Sequence, residues 1–530
     1  MNTAFRSVCF ACGMTLTSFT VHAQNGQWTW IKGSSVPNQS AVWGTMGVAA
    51  PGNTPPSLLQ PYFWTAIDGT FWLYGGRDGN GQGYAALWKY DPATNQWTWM
   101  KGPTTTNGEG NFGTQGVPGA LNEPPAKSFG ATAWTDLDGN FWMYGGVNGD
   151  SFDPPPNNDL WKYEVATNTW TWMKGSASQN PPPVWGIKGV PDINNQPPAH
   201  SDCHATWTDD LGDLWMFGGF NRVDGFGAQY NATWRYNIPT NTWTWMAGDS
   251  VGNTPAVYGT LGIPAAANTP DGRYARSLAK AADGSFWMYG GTAGGNWVYN
   301  DPWRFDPITA YWTWMGGSQV AQQPAVFGTQ CETTATNDPG RRVGINWQGT
   351  DGRWWIFGNN TEGSSHMSSN DMWTFCPTIA EWTWATGPNT INDVGNWGAI
   401  GVASPTNRPN GRNFSATWTA ANGDLYLFGG LNDVGVFTVY NDLWKFTPDA
   451  ACGTCGGTMG LDDVVIDPGA FTVTPNPSSV AKQGNYLYAL DASTWAEGPF
   501  VLRATDAQGN STSTRFIVAH LFLQYSTRHV

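Results

Sequence analysis

Aromatic and polar residues alternate over short stretches of this chain, and the alternation recurs. One example is Asn168-Thr169-Trp170-Thr171-Trp172-Met173. Residues two apart share one face of a β-strand, and threonine favours strands, so this stretch predicts a strand with both indoles on one face. Six copies of Trp-Thr-Trp begin at Trp28, Trp97, Trp170, Trp243, Trp312 and Trp382, with spacings of 69 to 73 residues. A regular period of this kind indicates a repeat architecture.

Two further patterns recur in step with Trp-Thr-Trp. One is an aromatic strand that ends in Gly-Gly, as in Phe71–Gly76, and the other is Asp159–Tyr163, which reads Asp-Leu-Trp-Lys-Tyr. In each repeat the Gly-Gly strand comes first, the Leu-Trp-Lys-Tyr strand second and the Trp-Thr-Trp strand last. Asp-Gly pairs such as Asp138-Gly139 separate alternating stretches, which is a hairpin signal. Each repeat therefore predicts four strands, with an innermost strand at about residues 128–135 in the second repeat.

The run Trp88-Lys89-Tyr90-Asp91-Pro92-Ala93-Thr94-Asn95-Gln96-Trp97, which follows a Gly-Gly strand, resembles the Kelch repeat. The resemblance covers about residues 24–450. It implies an all-β propeller of four-stranded blades, similar to the central domain of galactose oxidase. It implies little about function, because propellers host many unrelated activities.

The two ends of the repeat region complement each other. Gln27–Gly33 carries a Trp-Thr-Trp strand with no preceding strands of its own, while Asp442–Phe446 is followed by no such strand. We therefore predict six blades, closed by pairing of the N-terminal strand with the last repeat, because closure removes exposed sheet edges. Long connections such as Val42–Val48 also repeat. We expect them to form a collar on one face, which either encloses a pocket or only thickens the rim.

The flanking segments differ in composition from the repeats. Residues 1–23 predict a secretory signal peptide, with Arg6, an apolar stretch and Val21-His22-Ala23 at the cleavage site. Residues 451–465 predict a linker. Residues 466–530, with Pro475-Asn476-Pro477 and Asp506–Gly509, resemble the C-terminal sorting domain of type IX secretion. A small β-sandwich accessory domain is the alternative interpretation.

Composition narrows the possible partners and locations. Only 12% of residues are charged, the net charge is −14, and the chain has 34 Trp and 67 Gly. Scarce charge with abundant aromatic and turn-forming residues is typical of an all-β fold. The acidic balance argues against nucleic acid and anionic membranes as main partners. No segment is apolar over a bilayer-spanning length. We expect a secreted or outer-surface protein.

Five cysteines follow residue 23, so one stays unpaired if the other four form two disulfides. Cys452 and Cys455 can pair locally, and the pairing of Cys203, Cys331 and Cys376 stays open.

The chain offers one cluster with metal-binding chemistry. His200, Asp202 and His204 alternate along an innermost strand and so share one face. Copper, iron or zinc accepts such ligands, and some Kelch propellers are copper-radical oxidases. That family needs two Tyr, two His and a Cys cross-linked to one Tyr, and histidines are scarce here. We predict no metal and no cofactor, with these residues lining the channel.

Cations recur just before the innermost strands. When the repeats are aligned on Gly-Gly, Arg273, Arg341 and Arg412 share one position, Lys127 and His200 lie one residue earlier, and Arg276 lies further in. We expect these residues to ring the channel mouth. Arginines there can hold a carboxylate bidentately, and some six-bladed Kelch proteins are sialic acid mutarotases. Alternatively, the arginines only fix the inner strands through salt bridges.

No nucleophile elbow, phosphate-binding glycine loop or His-Glu-x-x-His motif is present in the sequence. We therefore predict a binding or adhesion module for an extracellular glycan or protein, with no assigned catalytic residue. The predicted ligand contacts are Lys127, His200, His204, Arg273, Arg276, Arg341 and Arg412, and the type IX secretion machinery is a predicted partner. The alternative is a carbohydrate-active enzyme on the loop-rich face, either mutarotase-like or a copper-radical oxidase.

Overall fold

The computed structural model describes residues 26–453 except 131, 150–154, 202–204, 222–226, 275–276, 295–296, 360–367 and 433–436. It also describes Cys455 and five strands beyond it. The chain divides into two compact units, Met1–Thr454 and Cys455–Val530.

Among its described residues, the first unit contains six antiparallel sheets of four or five strands, here called sheets 1 to 6 in chain order. The first strands are Tyr62–Thr65, Thr132–Thr135, Ala205–Thr208, Ser277–Lys280, Asn346–Gln348 and Ala416–Thr419. The second strands are Phe71–Tyr74, Phe141–Tyr144, Leu214–Phe217, Phe286–Tyr289, Trp354–Asn359 and Leu425–Phe428. The third strands are Leu87–Asp91, Leu160–Glu164, Thr233–Asn237, Pro302–Asp306, Ser369–Cys376 and Leu443–Thr447. The fourth strands are Gln96–Lys101, Thr169–Lys174, Thr242–Ala247, Tyr311–Trp314, Glu381–Thr386 and, for sheet 6, Gln27–Lys32.

The N-terminal strand completes sheet 6. It pairs antiparallel with Leu443–Thr447, and Trp28 lies opposite Phe446 while Trp30 lies opposite Trp444. The predicted pairing of these two chain segments is therefore present. The strand brings the Trp-Thr-Trp pattern that sheet 6 otherwise lacks.

Each first strand contacts the first strands of two other sheets, in the order 1, 2, 3, 4, 5, 6 and back to 1. No helix occurs among the described residues, so none there is available to span a membrane. The all-β architecture of repeated antiparallel sheets fits a β-propeller.

Aromatic side chains fill the space between neighbouring sheets. The first indole of each Trp-Thr-Trp is at most 5% exposed, as in Trp97 and Trp382. Trp97, for example, lies 5.2 Å from Phe428 of sheet 6, measured between ring centroids in an edge-on arrangement. Fully burying a large apolar side chain contributes on the order of 2–3 kcal/mol. The repeated tryptophans are therefore packing residues.

The long connections between the sheets lie along the sheet edges and do not project as a collar. After each fourth strand the chain runs along the outer edge of the next sheet, and Ala50, for example, bridges to Trp97. The ring of Trp43 lies 5.1 Å from that of Trp88 and 5.2 Å from that of Trp99. Corresponding contacts repeat at Phe112, Trp185, Tyr258, Phe327 and Trp397. The expected collar is wrong in this respect, because backbone pairing with the outermost strand holds each connection against the sheet edge.

Short strand pairs accompany the sheets. Three of these small sheets have two strands: Lys127–Phe129 with Val147–Asn148, Phe220–Asn221 with Ala228–Gln229, and Leu431–Asn432 with Thr438–Val439. A fourth has three strands: Arg273–Tyr274, Thr292–Ala293 and Trp297–Val298. In addition, Thr333–Thr334 adds a fifth strand to sheet 5.

The second unit contains two small antiparallel sheets. One is formed by Phe471–Thr474, Gly498–Thr505 and Ser511–Val518, and the other by Val480–Gln483 and Leu487–Leu490. The Pro475-Asn476-Pro477 and Asp506–Gly509 stretches, like the predicted signal peptide at residues 1–23, lie outside the described residues.

A disulfide joins Cys331 to Cys452, 121 residues apart. Cys452 therefore does not pair with Cys455, so the local pairing considered from the sequence is wrong; Cys376 and Cys455 are each disulfide-bonded as well. Arg353 Nη1 donates to the carbonyl oxygen of Cys452 at 2.5 Å. Together these contacts attach the end of the first unit to sheet 5.

Candidate functional site

Four of the six sheets contain a buried ion pair just before the first strand. Its cation lies ahead of that strand, and its aspartate comes directly before or within the third strand. The pairs are Lys127–Asp159, Arg273–Asp301, Arg342–Asp371 and Arg412–Asp442, and no side chain in them is more than 2% exposed. The same aspartates accept the indole N–H of Trp161, Trp303, Trp373 and Trp444.

The Arg412 site shows how the arginine pairs link neighbouring strands, since Arg273 and Arg342 make the same kind of bond to Gly290 and Gly358. Its Nη1 donates to Asp442 Oδ1 at 2.7 Å and to the carbonyl oxygen of Gly429, at the end of the second strand, at 3.0 Å. Its guanidinium lies 4.6 Å from the ring centroid of Tyr440. The two terminal nitrogens of the guanidinium therefore donate to acceptors within the protein.

Sheets 1 and 3 carry neither member of the pair. The aspartate position holds Ala86 or Ala232, and the cation position holds Leu58 or His200. The indole nitrogens of Trp88 and Trp234 are then buried without a hydrogen-bond partner among the described residues. Because arginine or lysine occurs only in the repeats that have aspartate, the cations mainly neutralise a buried carboxylate, which is costly to bury alone.

The structure corrects one residue of the sequence alignment. Arg342, not Arg341, is the counterpart of Arg273 and Arg412, because it pairs with the aspartate of its third strand, as they do. In sheet 5, Asn346 lies opposite Ile356 as Leu278 lies opposite Met288 in sheet 4, so one residue fewer separates the arginine from the first strand. Arg342 follows Val326 by as many residues as Arg273 follows Val257, so counting forward from the repeated connection identifies Arg342 from the sequence.

The other predicted contacts divide into two groups. Lys127, Arg273 and Arg412 belong to the buried pairs, and His200 is 1% exposed. Burial lowers the pKa of the Lys127 ammonium, and the Asp159 carboxylate opposes this. His204 and Arg276 lie outside the described residues. The described cations therefore do not form a positive rim at the channel, and their ligand-binding role stays a prediction.

Arg341 lies on the wall of a cleft on sheet 5. The cleft has a volume of about 210 Å³, and Phe327, Arg341, Arg342, Asp371 and Ile391 are among its lining residues. Arg341 is half-buried, and its Nη1 donates to the carbonyl oxygen of Gln322 at 2.5 Å. The cleft thus combines a partly exposed guanidinium with an apolar wall and a neutralised ion pair.

Sheet 4 has different chemistry at the corresponding point. There the hydroxyl of Tyr258 donates to Asp301 Oδ2 at 2.9 Å, whereas sheet 5 has Phe327 at this position. Burial, followed by the Asp301 charge, raises the pKa of Tyr258. Phe327 lacks this hydroxyl, so the cleft of sheet 5 is less polar at this point.

The centre of the first unit contains a second cavity, of about 400 Å³. It is lined by the first strands of sheets 1, 3, 4, 5 and 6, including Thr65, Thr208, Lys280, Gln348 and Thr419. Lys280 Nζ donates to Asp210 Oδ1 at 2.7 Å. Lys280 was not among the predicted contacts. It is the last residue of the first strand of sheet 4, and alternation along that strand places it on the face towards the centre.

Metal-binding geometry is absent from the part of the chain that the structure describes. No group of three His, Cys, Asp or Glu side chains there is arranged to hold an ion. Asp202 and His204, which share the predicted face with His200, are not among these residues.

Comparison with known families and proteins identifies the repeat. A Kelch motif model matches residues 65–98, which run from the end of the first strand of sheet 1 into its fourth strand. The chain contains a Kelch motif. It is also similar to "Kelch domain-containing protein 3" of Bos taurus, with 25% identity over 275 residues. This match covers 50% of the chain and 56% of the relative, so the chain spans about half the length of that protein. Kelch repeats indicate a propeller that engages other proteins.

Proposed function

We propose that the six sheets form a closed six-bladed Kelch propeller that acts as a secreted binding module for a protein ligand. Support for closure comes from the pairing of Gln27–Lys32 with Leu443–Thr447 and from the cyclic contacts of the first strands. A closed ring leaves no first strand without neighbours on both sides. Such a ring is a rigid support for surface contacts.

The observation that carries the binding role is the cleft on sheet 5. Arg341 provides a guanidinium that can hold a carboxylate of the ligand through two hydrogen bonds. Phe327 and Ile391 provide an apolar wall, and Ile391 is 41% exposed. Arginine beside apolar surface is typical of residues that contribute most to protein interfaces. An acidic peptide segment with one apolar anchor fits this chemistry.

Export is part of the same proposal. The predicted signal peptide at residues 1–23 and the similarity of residues 466–530 to a type IX sorting domain support it. Disulfide bonds at Cys331, Cys376, Cys452 and Cys455 agree with an oxidising compartment, where such bonds persist. The acidic net charge suits an extracellular surface.

We expect substitutions in the cleft on sheet 5 to weaken ligand binding. The purified protein is screened against an array of extracellular proteins and acidic peptides, and the strongest binder is titrated. Arg341→Ala and Ile391→Asp should each weaken that binder by roughly 10-fold to 30-fold, the effect of losing a central interface residue. Arg304→Ala is the matched control, because Arg304 is an exposed arginine paired with Asp283 elsewhere on the surface. Equal affinities for all four proteins contradict the assignment of the cleft.

A glycan ligand in the central cavity is the second candidate. The observation that favours it is the lining of threonine hydroxyls with Gln348 and Lys280, which offers donors and acceptors to a polyhydroxylated molecule. A glycan array should then give binding that Lys280→Ala and Gln348→Ala reduce and Arg341→Ala leaves unchanged. Binding that is reduced only by Arg341→Ala contradicts the central location.

A further inference from the structure

Three junctions between consecutive sheets are closed by a lysine ammonium. In each, a lysine at the end of a fourth strand reaches across to two backbone carbonyl oxygens of the next repeat. Lys32 Nζ donates to Pro51 O at 2.5 Å and Asn95 O at 3.3 Å, Lys101 Nζ to Ala120 O at 2.8 Å and Asn168 O at 3.4 Å, and Lys174 Nζ to Ile193 O and, at 3.3 Å, Asn241 O. The same pair of acceptors thus recurs at three places.

The junction between sheets 3 and 4 has the acceptors without the lysine. The lysine position holds Ala247, at the end of Thr242–Ala247. Ala265 bridges to Trp312 as Ala50 bridges to Trp97, so Ala266 corresponds to Pro51. Ala310, with φ of 57°, corresponds to Asn95, with φ of 53°. Among the described residues, neither the Ala266 nor the Ala310 carbonyl oxygen accepts a hydrogen bond.

A cavity of about 400 Å³ occupies this junction. Met246, Ala247, Ala266, Ala310 and Tyr311 are among the residues that line it. A lysine side chain removed from a junction leaves space of this kind. Here Met246 and Tyr311 offer apolar surface to an alkyl chain, beside polar groups such as Thr309.

The charge at this junction also differs from that at its three counterparts. Asp249 lines the cavity, whereas the corresponding residues two positions after the lysine are Ser34, Pro103 and Ser176. Compared with the other three junctions, this one has no lysine ammonium and has an additional carboxylate. The junctions after Gly316 and Thr386 also lack a lysine, but Ser318 and Pro388 follow there, so neither gains a carboxylate at that position.

One cation faces the same cavity. Lys188 lines it, but its Nζ donates to the carbonyl oxygen of Gly248 at 2.7 Å and lies 4.4 Å from the ring centroid of Trp245. Its ammonium is therefore bound at another carbonyl and does not replace the missing lysine. The Lys188 charge weakens the attraction of Asp249 for a second cation. It leaves the carbonyl oxygens of Ala266 and Ala310 available as acceptors.

We propose that the cavity between sheets 3 and 4 binds a primary alkylammonium group, from either a lysine side chain of a protein partner or a free amine. The ammonium donates to the carbonyl oxygens of Ala266 and Ala310 near the Asp249 carboxylate, and the alkyl chain lies along Met246 and Tyr311. This site lies apart from the cleft on sheet 5, so either proposal can fail without the other.

The test uses the full chain with 13C-methyl-labelled methionine. Met246 lines the cavity, while Met173 lies next to Lys174 at a filled junction and serves as the internal reference. Titration with n-pentylamine hydrochloride should shift the Met246 methyl signal with a dissociation constant on the order of millimolar, since few charge-assisted hydrogen bonds are formed. The Met173 signal should stay unchanged, and the uncharged n-pentanol should shift Met246 at least 10-fold less strongly.

Two variants make the assignment specific. Ala247→Lys supplies the missing internal ammonium and should abolish the Met246 shift. Lys174→Ala exposes the same two acceptors between sheets 2 and 3 but has Ser176 in place of Asp249. It should make the Met173 signal respond to the amine, more weakly than the Met246 signal does. A Met246 signal that ignores pentylamine, or one that responds equally in Ala247→Lys, overturns the proposal.

The source of the ammonium is distinguished by a second arm. A lysine-containing peptide and its Nε-acetylated form are compared with free pentylamine at the same Met246 signal. Tighter binding of the unmodified peptide than of pentylamine assigns the site to a protein partner. Equal binding of the two assigns it to free amines, and binding of the acetylated peptide as strong as the unmodified one overturns the ammonium requirement.

Discussion

Replacing Arg412 with leucine is expected to lower the free energy of unfolding by about 3–5 kcal/mol, because it leaves the Asp442 carboxylate buried without its cation. Asp442 is 0% exposed, so water cannot solvate the charge in the folded state. Equilibrium denaturation, followed by tryptophan fluorescence, measures the loss. Arg304→Leu, at an exposed surface pair, is the control and should change stability by less than about 1 kcal/mol.

Sheet 1 shows which residue pair can replace the buried ion pair in a second variant. Sheet 1 carries Leu58 and Ala86 at the two positions of the pair. The double variant Arg412→Leu/Asp442→Ala should therefore be more stable than Arg412→Leu alone. It should still lose about 1–3 kcal/mol relative to the natural chain, because the indole N–H of Trp444 loses its acceptor. A double variant as unstable as the single one contradicts the view that the cation serves to neutralise the aspartate.

Removing the disulfide between Cys331 and Cys452 is expected to have the second large effect. The bond closes a loop of about 121 residues, for which chain entropy gives about 4–5 kcal/mol, against a typical measured range of about 2–5 kcal/mol. Cys331→Ala/Cys452→Ala should therefore lower the denaturation midpoint clearly. Equilibrium denaturation of the variants measures this without reductant, which acts on the other disulfide-bonded cysteines as well.

A matched variant separates the cross-link from the backbone. Cys331 has φ of 65°, at a position where the five other repeats have glycine, such as Gly47 with φ of 76°. Left-handed backbone costs a residue with a side chain roughly 1–2 kcal/mol. Cys331→Gly/Cys452→Ala should therefore be more stable than Cys331→Ala/Cys452→Ala by about 1 kcal/mol. If the two variants are equally stable, the left-handed backbone carries no measurable cost here.

The arginine sites illustrate where reasoning from sequence reached its limit. The residue types and their place before the innermost strands were visible, and a salt-bridge role was one of the two interpretations. The partner aspartates, about 30 residues away, also begin a recognisable motif. Which cation meets each aspartate was not visible, and the choice of Arg342 over Arg341 depended on one residue fewer between the arginine and the first strand of sheet 5. Backbone geometry decides such a shift, and side-chain chemistry alone does not reveal it.

The long connections show the same limit in another form. Their repeated aromatic-Gly-Thr pattern was evident, but the pattern is compatible both with a projecting collar and with a segment that pairs with the edge of a sheet. Backbone pairing, as between Ala50 and Trp97, decides for the edge. That pairing carries little residue-specific information, because any residue except proline offers the same donor and acceptor.

The sequence by itself determined the strand pattern, the order of strands within each repeat and the match of the N-terminal strand to the last repeat. It could do so because period-two alternation and a 69–73-residue repeat are local properties that survive without coordinates. The tertiary structure alone decided which cations are buried, that Cys452 bonds to Cys331, and that Ala247 leaves a cavity where three other junctions hold an ammonium. These features arise between residues distant in sequence, and their energies depend on burial and distance, which no local pattern encodes.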